Sequence, residues 1–300
     1  MADKKQFFYG GQAVIEGVMI RGRKAVVTAV RRPGGEIGTD VKPLSSIYTG
    51  RPRRLPFIRG VIVLIEAMVL GVKSLVYSAN VAVEEETEEI SGGAIFLMLA
   101  SAAVLVVALF FLAPLFLTRL LGDYIPNAVV FNVIEGVIRL IIFVAYLRTM
   151  RLLPDIRRVF TYHGAEHKTV NAWEAGVPME VDAIRSYSTA HVRCGTSFLF
   201  TVLIIAIVVF SLVGRPDLWL MVTSRIVLVP VIAAIGYEIT YFSARHTGNR
   251  FVKILLAPGL LMQSLTTGQP DDRQMEVAIA AMNKAVEVDR AAEEAATASP

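Results

Sequence analysis

Residues 94–117 read AIFLMLASAAVLVVALFFLAPLFL, twenty-four consecutive positions without a charge. At 1.5 Å per residue such a helix covers the roughly 30 Å of hydrocarbon in a bilayer. Three further stretches are apolar over most of a comparable length: Ile125–Leu147, Ser197–Val213 and Trp219–Tyr241. The connectors Thr118–Tyr124 and Gly214–Leu218 are short, so the four spans are expected as two helical hairpins. The composition agrees. The 300 residues are 54% hydrophobic and 19% charged, against about 45–50% and about 25% in soluble domains. That excludes an ordinary soluble enzyme, a secreted disulfide scaffold and a disordered chain. A lone cysteine, Cys194, excludes an intrachain disulfide and fits a thiol facing a reducing compartment.

Two other apolar stretches carry charges: Phe57–Ala79 holds Glu66 and Lys73, and Phe251–Leu265 holds Lys253 and is broken by Pro258 and Gly259. The distribution of Lys and Arg decides how they lie. Residues 1–93 hold thirteen, 148–196 seven and the segment after Tyr241 six, whereas the hairpin connectors hold only Arg119 and Arg215. Positive residues favour the cytoplasmic side, which places the three rich segments and both termini there. That arrangement requires Phe57–Ala79 not to cross. Both charged stretches are therefore expected as interfacial or re-entrant helices against the bundle. The N-terminus has the positive charge of a secretory leader but no apolar core or small-residue cleavage site, so no cleaved leader is expected.

Residues 1–56 are expected to form a cytoplasmic β-hairpin element. Lys24–Arg31 is rich in β-branched residues, Pro33-Gly34-Gly35 signals a turn, and Glu36–Val41 can return as the partner strand. An isolated hairpin is marginal, so it must pack on something else. Residues 57–93 hold the first interfacial helix and an acidic linker, Val83–Ser91, with five glutamates. Residues 94–147 and 197–241 are the two transmembrane hairpins, with a cytoplasmic insert at 148–196 between them. Residues 242–290 hold the second interfacial helix and a C-terminal amphipathic one. There Asp271 or Asp272 can act as cap, and Met275, Ile279, Met282 and Val286 follow helical spacing. Residues 291–300 are expected as a disordered tail. The fold class is a mainly α integral membrane protein: a four-span bundle, two amphipathic or re-entrant helices, and a small cytoplasmic α+β cap.

Three of the four histidines, His163, His167 and His191, fall in the insert, and the fourth, His246, reads as an interfacial residue. Thr161–Pro178 reads as one helix, with Thr161 as cap and Gly176 near its stop. His163, Glu166 and His167 then share a face, and Glu174 follows three turns on from His163. This is H-x-x-E-H, a spacing in which two histidines bind zinc and the glutamate serves as general base. Zinc takes a third protein ligand, which Glu174, His191 or Cys194 can supply. If both histidines, His191 and Cys194 all bound, the site would be closed and structural. A hydrogen-bonded polar cluster without metal is the alternative.

Charges also fall inside the spans. Glu135 and Arg139 are four apart in the second, and Arg225 and Glu238 lie in the fourth. Ionisable groups at membrane depth cost about 2.5–3.5 kcal/mol each on insertion scales, so they call for a role. They line a polar pathway or staple the helices through buried ion pairs. The equal number of both signs favours the staple.

The string Gly10–Gly22 (GGQAVIEGVMIRG), with Tyr162–Lys168 (YHGAEHK), Arg193–Phe198 (RCGTSF) and Pro270–Ile279, resembles the YqhQ-like family of bacterial integral membrane proteins. The resemblance runs over nearly the whole chain, with residues 291–300 outside it. That family is uncharacterised and described only as predicted metal-dependent. The resemblance therefore implies a multi-pass protein of the bacterial cytoplasmic membrane and a metal, and adds no activity. It also brings Gly10, Gly11, Gln12, Glu16 and Gly22 into view. Paired glycines beside Gln and Glu suggest a close backbone approach to a polar site, or a turn packed under the insert. Neither a P-loop nor a dinucleotide fingerprint is present, and no specific nucleic-acid binding is expected. The leading expectation is a zinc-dependent hydrolase with Glu166 as base and a substrate from the cytosol or inner leaflet. Two other classes stand beside it: a non-catalytic membrane factor that binds a partner protein or its own copies or assists assembly, and a transporter using the intramembrane charges.

Overall fold

The computed structural model describes residues 7–83 and 91–298, so most of the acidic run at 83–91 lies outside the described residues. The chain begins with four antiparallel strands in sequential order: β1 (Gly10–Val14), β2 (Gly17–Arg21), β3 (Ala25–Arg31) and β4 (Ile37–Pro43). β3 and β4 form the hairpin expected from residues 24–41, with Gly35 at φ +95° in its turn. The single hairpin is nevertheless corrected to a four-stranded meander. Glycine depresses strand propensity, which hides β1 and β2 in the sequence. Their turn is made at Glu16, at φ +52°, where no glycine marks it.

The helices follow in order: α1 (Ser46–Thr49), α2 (Ile58–Val83), α3 (Gly92–Val107), α4 (Ala113–Leu120), α5 (Ala128–Met150), α6 (Pro154–Glu174), α7 (Val181–Ile184), α8 (Gly195–Val213), α9 (Leu218–Arg245), α10 (Arg250–Gln263) and α11 (Asp272–Ala298). α3 runs through a π-helical stretch, Ala108–Leu112, into α4. Five of the described helical segments are long and apolar enough to cross a membrane: Ile58–Ala82, Gly92–Leu120, Ala128–Met150, Gly195–Val213 and Leu218–Arg245. The last four overlap the spans expected from sequence. The first is α2, expected as interfacial.

The sheet is covered on both faces, so β2 and β3 are buried almost continuously rather than in alternation. On one face Val18, Ile20, Val27 and Ala29 pack against Tyr162 and Ala165 of α6 and Val277, Ala281 and Met282 of α11. On the other, Val14, Met19, Val26 and Val30 pack against Leu70 of α2. Polar groups accompany that second contact. Glu66 of α2 accepts from Arg21 Nε at 3.0 Å and from the Arg53 guanidinium. Thr28 Oγ1 donates to Ser74 Oγ at 2.9 Å, and the Ile15 N–H donates to Ser78 Oγ at 3.2 Å. The opposite side of α2 exposes Ile58, Val61, Ile65, Met68 and Val69. A soluble amphipathic helix has the reverse arrangement. The first turns of α2 rest on α9, where Arg59 holds Glu238 and lies 3.9 Å from the centre of the Tyr241 ring.

Among the membrane-length helices, α5 and α9 hold a charged triad, with Phe210 of α8 against both arginines. Glu135 accepts from Arg139 Nη2 and from Arg225 Nη2, each at 2.6 Å, and all three side chains are buried. Arg139 Nε also donates to the Phe110 carbonyl at 2.9 Å, within the π-helical stretch whose wider turn shifts the regular ladder.

Two helix limits differ from the sequence reading. α6 starts at Pro154, a residue suited to the first helical position, so Thr161 lies inside the helix and does not cap it. Residues 291–298, expected as a tail, form the last turns of α11, where Ala and Glu are strong helix formers. α10 starts at the Asn249 cap and keeps Pro258 within it.

Candidate metal centre

α6 carries the H-x-x-E-H residues to the junction between the cap and the start of α8. Gly164 is what lets the chain close there. A Cβ on it would stand 2.0 Å from the Gly268 carbonyl oxygen, and the Gly268 N–H donates to the Phe160 carbonyl at 2.8 Å. The glycine that weakens the helix on propensity thus permits the segment after α10 to lie against it.

That segment and the loop after α7 then fix both rings. His163 Nδ1 is 2.9 Å from the Thr266 carbonyl oxygen, and His167 Nδ1 is 2.6 Å from the Thr189 carbonyl oxygen. A carbonyl only accepts, so each Nδ1 carries a proton and it is Nε2 that is left to bind an ion. Carbonyl anchoring of the second nitrogen is how metal-ligating histidines are commonly oriented. Cys194 Sγ lies 3.4 Å from His163 Nε2 and accepts from the Thr196 N–H at 3.4 Å, at the start of α8. One ligand atom from each of His163, His167 and Cys194 falls within 4.8 Å of the others. Two imidazoles and a thiol suit zinc in both donor type and number.

Glu166 is buried beside this cluster, with Oε2 at 3.5 Å from His167 Nε2. The described residues give its carboxylate no hydrogen bond. Gly11 is the reason it fits, since a Cβ there would stand 2.2 Å from the Met19 carbonyl oxygen and 3.2 Å from Glu166 Cγ.

The other residues singled out from sequence fall outside the three-atom group. Glu174 pairs with Arg193 and its Oε2 is 3.6 Å from His191 Nε2, while the His191 ring centre lies 5.7 Å from that of His167 and its buried Nε2 has no hydrogen bond among the described residues. Burial pushes the Glu174 carboxyl up, but the facing His191 ring and the Arg193 guanidinium outweigh it and hold it below the ordinary carboxylate range. Glu16 is held by Arg158 Nη2 at 2.7 Å and by the Tyr162 hydroxyl at 3.2 Å. Gln12 lies against Gly71 of α2, Gly22 against the Asp289 carboxylate, and Gly10 has open space where a Cβ would stand. His246 is exposed and stacks on Phe242. Glu135, Arg139, Arg225 and Glu238 occupy the ion pairs described above.

Gln263 was not expected. It is fully buried, its Oε1 accepts from the His191 N–H at 2.9 Å, and its Nε2 donates to the His191 carbonyl at 2.8 Å. It thereby ties the loop before Cys194 to α10. Its role rests on backbone partners, which no side-chain pattern announces.

Comparison with known proteins agrees with the motifs. The family described as "Protein of unknown function (DUF1385)" matches residues 55–288. The chain is 35% identical over 302 aligned residues to the uncharacterized protein YqhQ of Bacillus subtilis (strain 168), covering 95% of this chain and 94% of that protein. No solved structure matches it.

Proposed function

Since the chain belongs to the DUF1385 family, a family without an assigned activity, we propose from the geometry of its site that it is a metal-dependent membrane enzyme, a hydrolase acting on a membrane-associated substrate. The observation that carries this reading is the convergence of three ligand atoms within 4.8 Å, with both ring orientations set by backbone carbonyls. His163, His167 and Cys194 would hold the ion, and zinc is the metal their donor set suits. Such an ion supplies Lewis acidity to a hydrolytic reaction. Glu166, buried with its Oε2 3.5 Å from His167 Nε2, would take a proton from water as general base. The substrate would reach the site from the cytosol or inner leaflet of the bacterial cytoplasmic membrane. In this reading four helices span, both termini are cytoplasmic, and α2 and α10 lie at the interface.

A second reading follows from burial. Glu166, His167 and Cys194 are each under 5% exposed. A site this enclosed also suits a structural ion held by His163, His167 and Cys194, in a non-catalytic membrane factor.

Elemental mass spectrometry on tag-free, detergent-purified protein tests both. The expected result is near one equivalent of zinc in the wild type, lost in His163→Ala, His167→Ala and Cys194→Ser. A folded Glu166→Gln that keeps its metal but loses function supports the enzyme, and one that keeps both supports the structural ion. A folded wild type with no metal above background would sink both readings.

A further inference from the structure

A cleft of about 380 Å³ opens between the β3–β4 turn, the end of α2, α6 and the start of α11. Arg31, Arg32, Arg158 and Arg273 line it, with two acids, Glu16 and Asp271, leaving two positive charges in excess. Both acids are engaged. Glu16 is held by Arg158 and Tyr162. Asp271 Oδ1 accepts from the Gln274 N–H at 2.8 Å, capping α11. The cap also satisfies the helix start, so any attraction for an anion comes from the arginines.

Three of those arginines have capacity to spare. Arg31 pairs with Glu276 and donates to the carbonyls of Gly35 and Arg273, yet its Nε is buried without an acceptor. A buried donor left unsatisfied is destabilising, and an incoming acceptor would relieve it. Arg32 and Arg273 are exposed, and neither guanidinium has an ion pair or hydrogen bond among the described residues. Guanidinium forks match phosphate oxygens two at a time. The cleft is lined mainly by polar groups and is large enough for a phosphate with part of its parent molecule.

We propose that this cleft binds a phosphate-bearing anion, drawn from a lipid headgroup or from a soluble phosphate compound. The site is distinct from the histidine–cysteine cluster and does not depend on a metal there.

The test uses the full chain in phosphatidylcholine nanodiscs, titrated calorimetrically with inorganic pyrophosphate. A second arm reconstitutes it with mixed phosphatidylglycerol and phosphatidylcholine and identifies retained lipid by native mass spectrometry. Each arm compares the wild type with Arg32→Ala/Arg273→Ala and with Arg250→Ala/Lys253→Ala, which removes equal charge from exposed positions on α10. Saturable pyrophosphate binding, weakened about tenfold or more in the first pair only, supports a soluble ligand. Selective phosphatidylglycerol retention, lost in the first pair only, supports a headgroup. If the first pair matches the wild type in both arms, or the α10 pair loses as much, the proposal is overturned. Should the alanine pair lower the melting temperature, Arg32→Gln/Arg273→Gln replaces it and is judged by the same outcomes.

Discussion

At the scale of single residues, Gly164 sets two effects against each other. Replacing it with alanine favours the helix by about 1 kcal/mol on propensity. The new Cβ would meet the Gly268 carbonyl oxygen at 2.0 Å, and overpacking against backbone costs about 1–3 kcal/mol or more. Gly164→Ala is therefore expected to lower the melting temperature, and an unchanged or raised value would contradict the close approach. Asp289 offers a second case. It is buried and accepts from the Arg23 and Lys24 N–H groups and the Tyr9 hydroxyl, at 2.7, 2.9 and 2.9 Å. Asp289→Ala leaves those donors unmet and is expected to cost about 3 kcal/mol in unfolding experiments. Glu174 makes a prediction in pH. Its carboxyl is held below the ordinary glutamate range, so its pairing stabilises the fold above that range and is lost as the pH falls through the depressed value. Glu174→Gln should therefore melt below the wild type near neutrality, with the gap closing in acid. A gap that widened in acid would reverse the sign. Which side chain joins His163 and His167 was not legible in sequence, because Glu174, His191 and Cys194 are all within reach. Loop closure separates them: Arg193 draws Glu174 away, and the cap of α8 sets Cys194 beside the rings.

Among the elements, the clearest forecast concerns the triad that joins α5 to α9. Glu135→Leu strands two buried guanidinium groups and is expected to cost about 3–5 kcal/mol, whereas replacing Glu135, Arg139 and Arg225 all by leucine should recover most of it. Unfolding in detergent measures both. A triple variant less stable than the single one would refute the staple, and a stable triple variant without function would favour a polar pathway. The helices of the bundle were legible because a predominantly apolar run of membrane length admits few other structures. The wiring was not, since Arg225 and the Phe110 carbonyl lie far along the chain from Glu135 and Arg139. α2 shows what average hydropathy misses. It qualifies as membrane-length by composition, yet Glu66, Leu70, Ser74 and Ser78 recur every fourth residue and turn to the sheet. β1 and β2 stayed hidden because glycines and a turn at Glu16 give no strand signal.

For the whole molecule, the proposed orientation can be read by thiol labelling in a Cys194→Ser background. Asp123→Cys and Asp217→Cys lie in the two hairpin connectors and should react with an impermeant maleimide in cells with a permeabilised outer barrier and an intact inner membrane. Asp40→Cys and Lys284→Cys should react only after lysis. Labelling of position 40 from outside would mean that α2 crosses. The sheet carries a further consequence, in time rather than space. Its inner face is closed by Val277, Ala281 and Met282, about 250 residues after β3. At roughly 5–20 residues per second the ribosome needs about 12–50 s to supply them. Through that interval α6 alone can cover the face. A nascent chain that stalls or is cut before α11 is expected to leave the part under Val277, Ala281 and Met282 exposed, a mark by which chaperones and proteases could tell an unfinished molecule from a finished one.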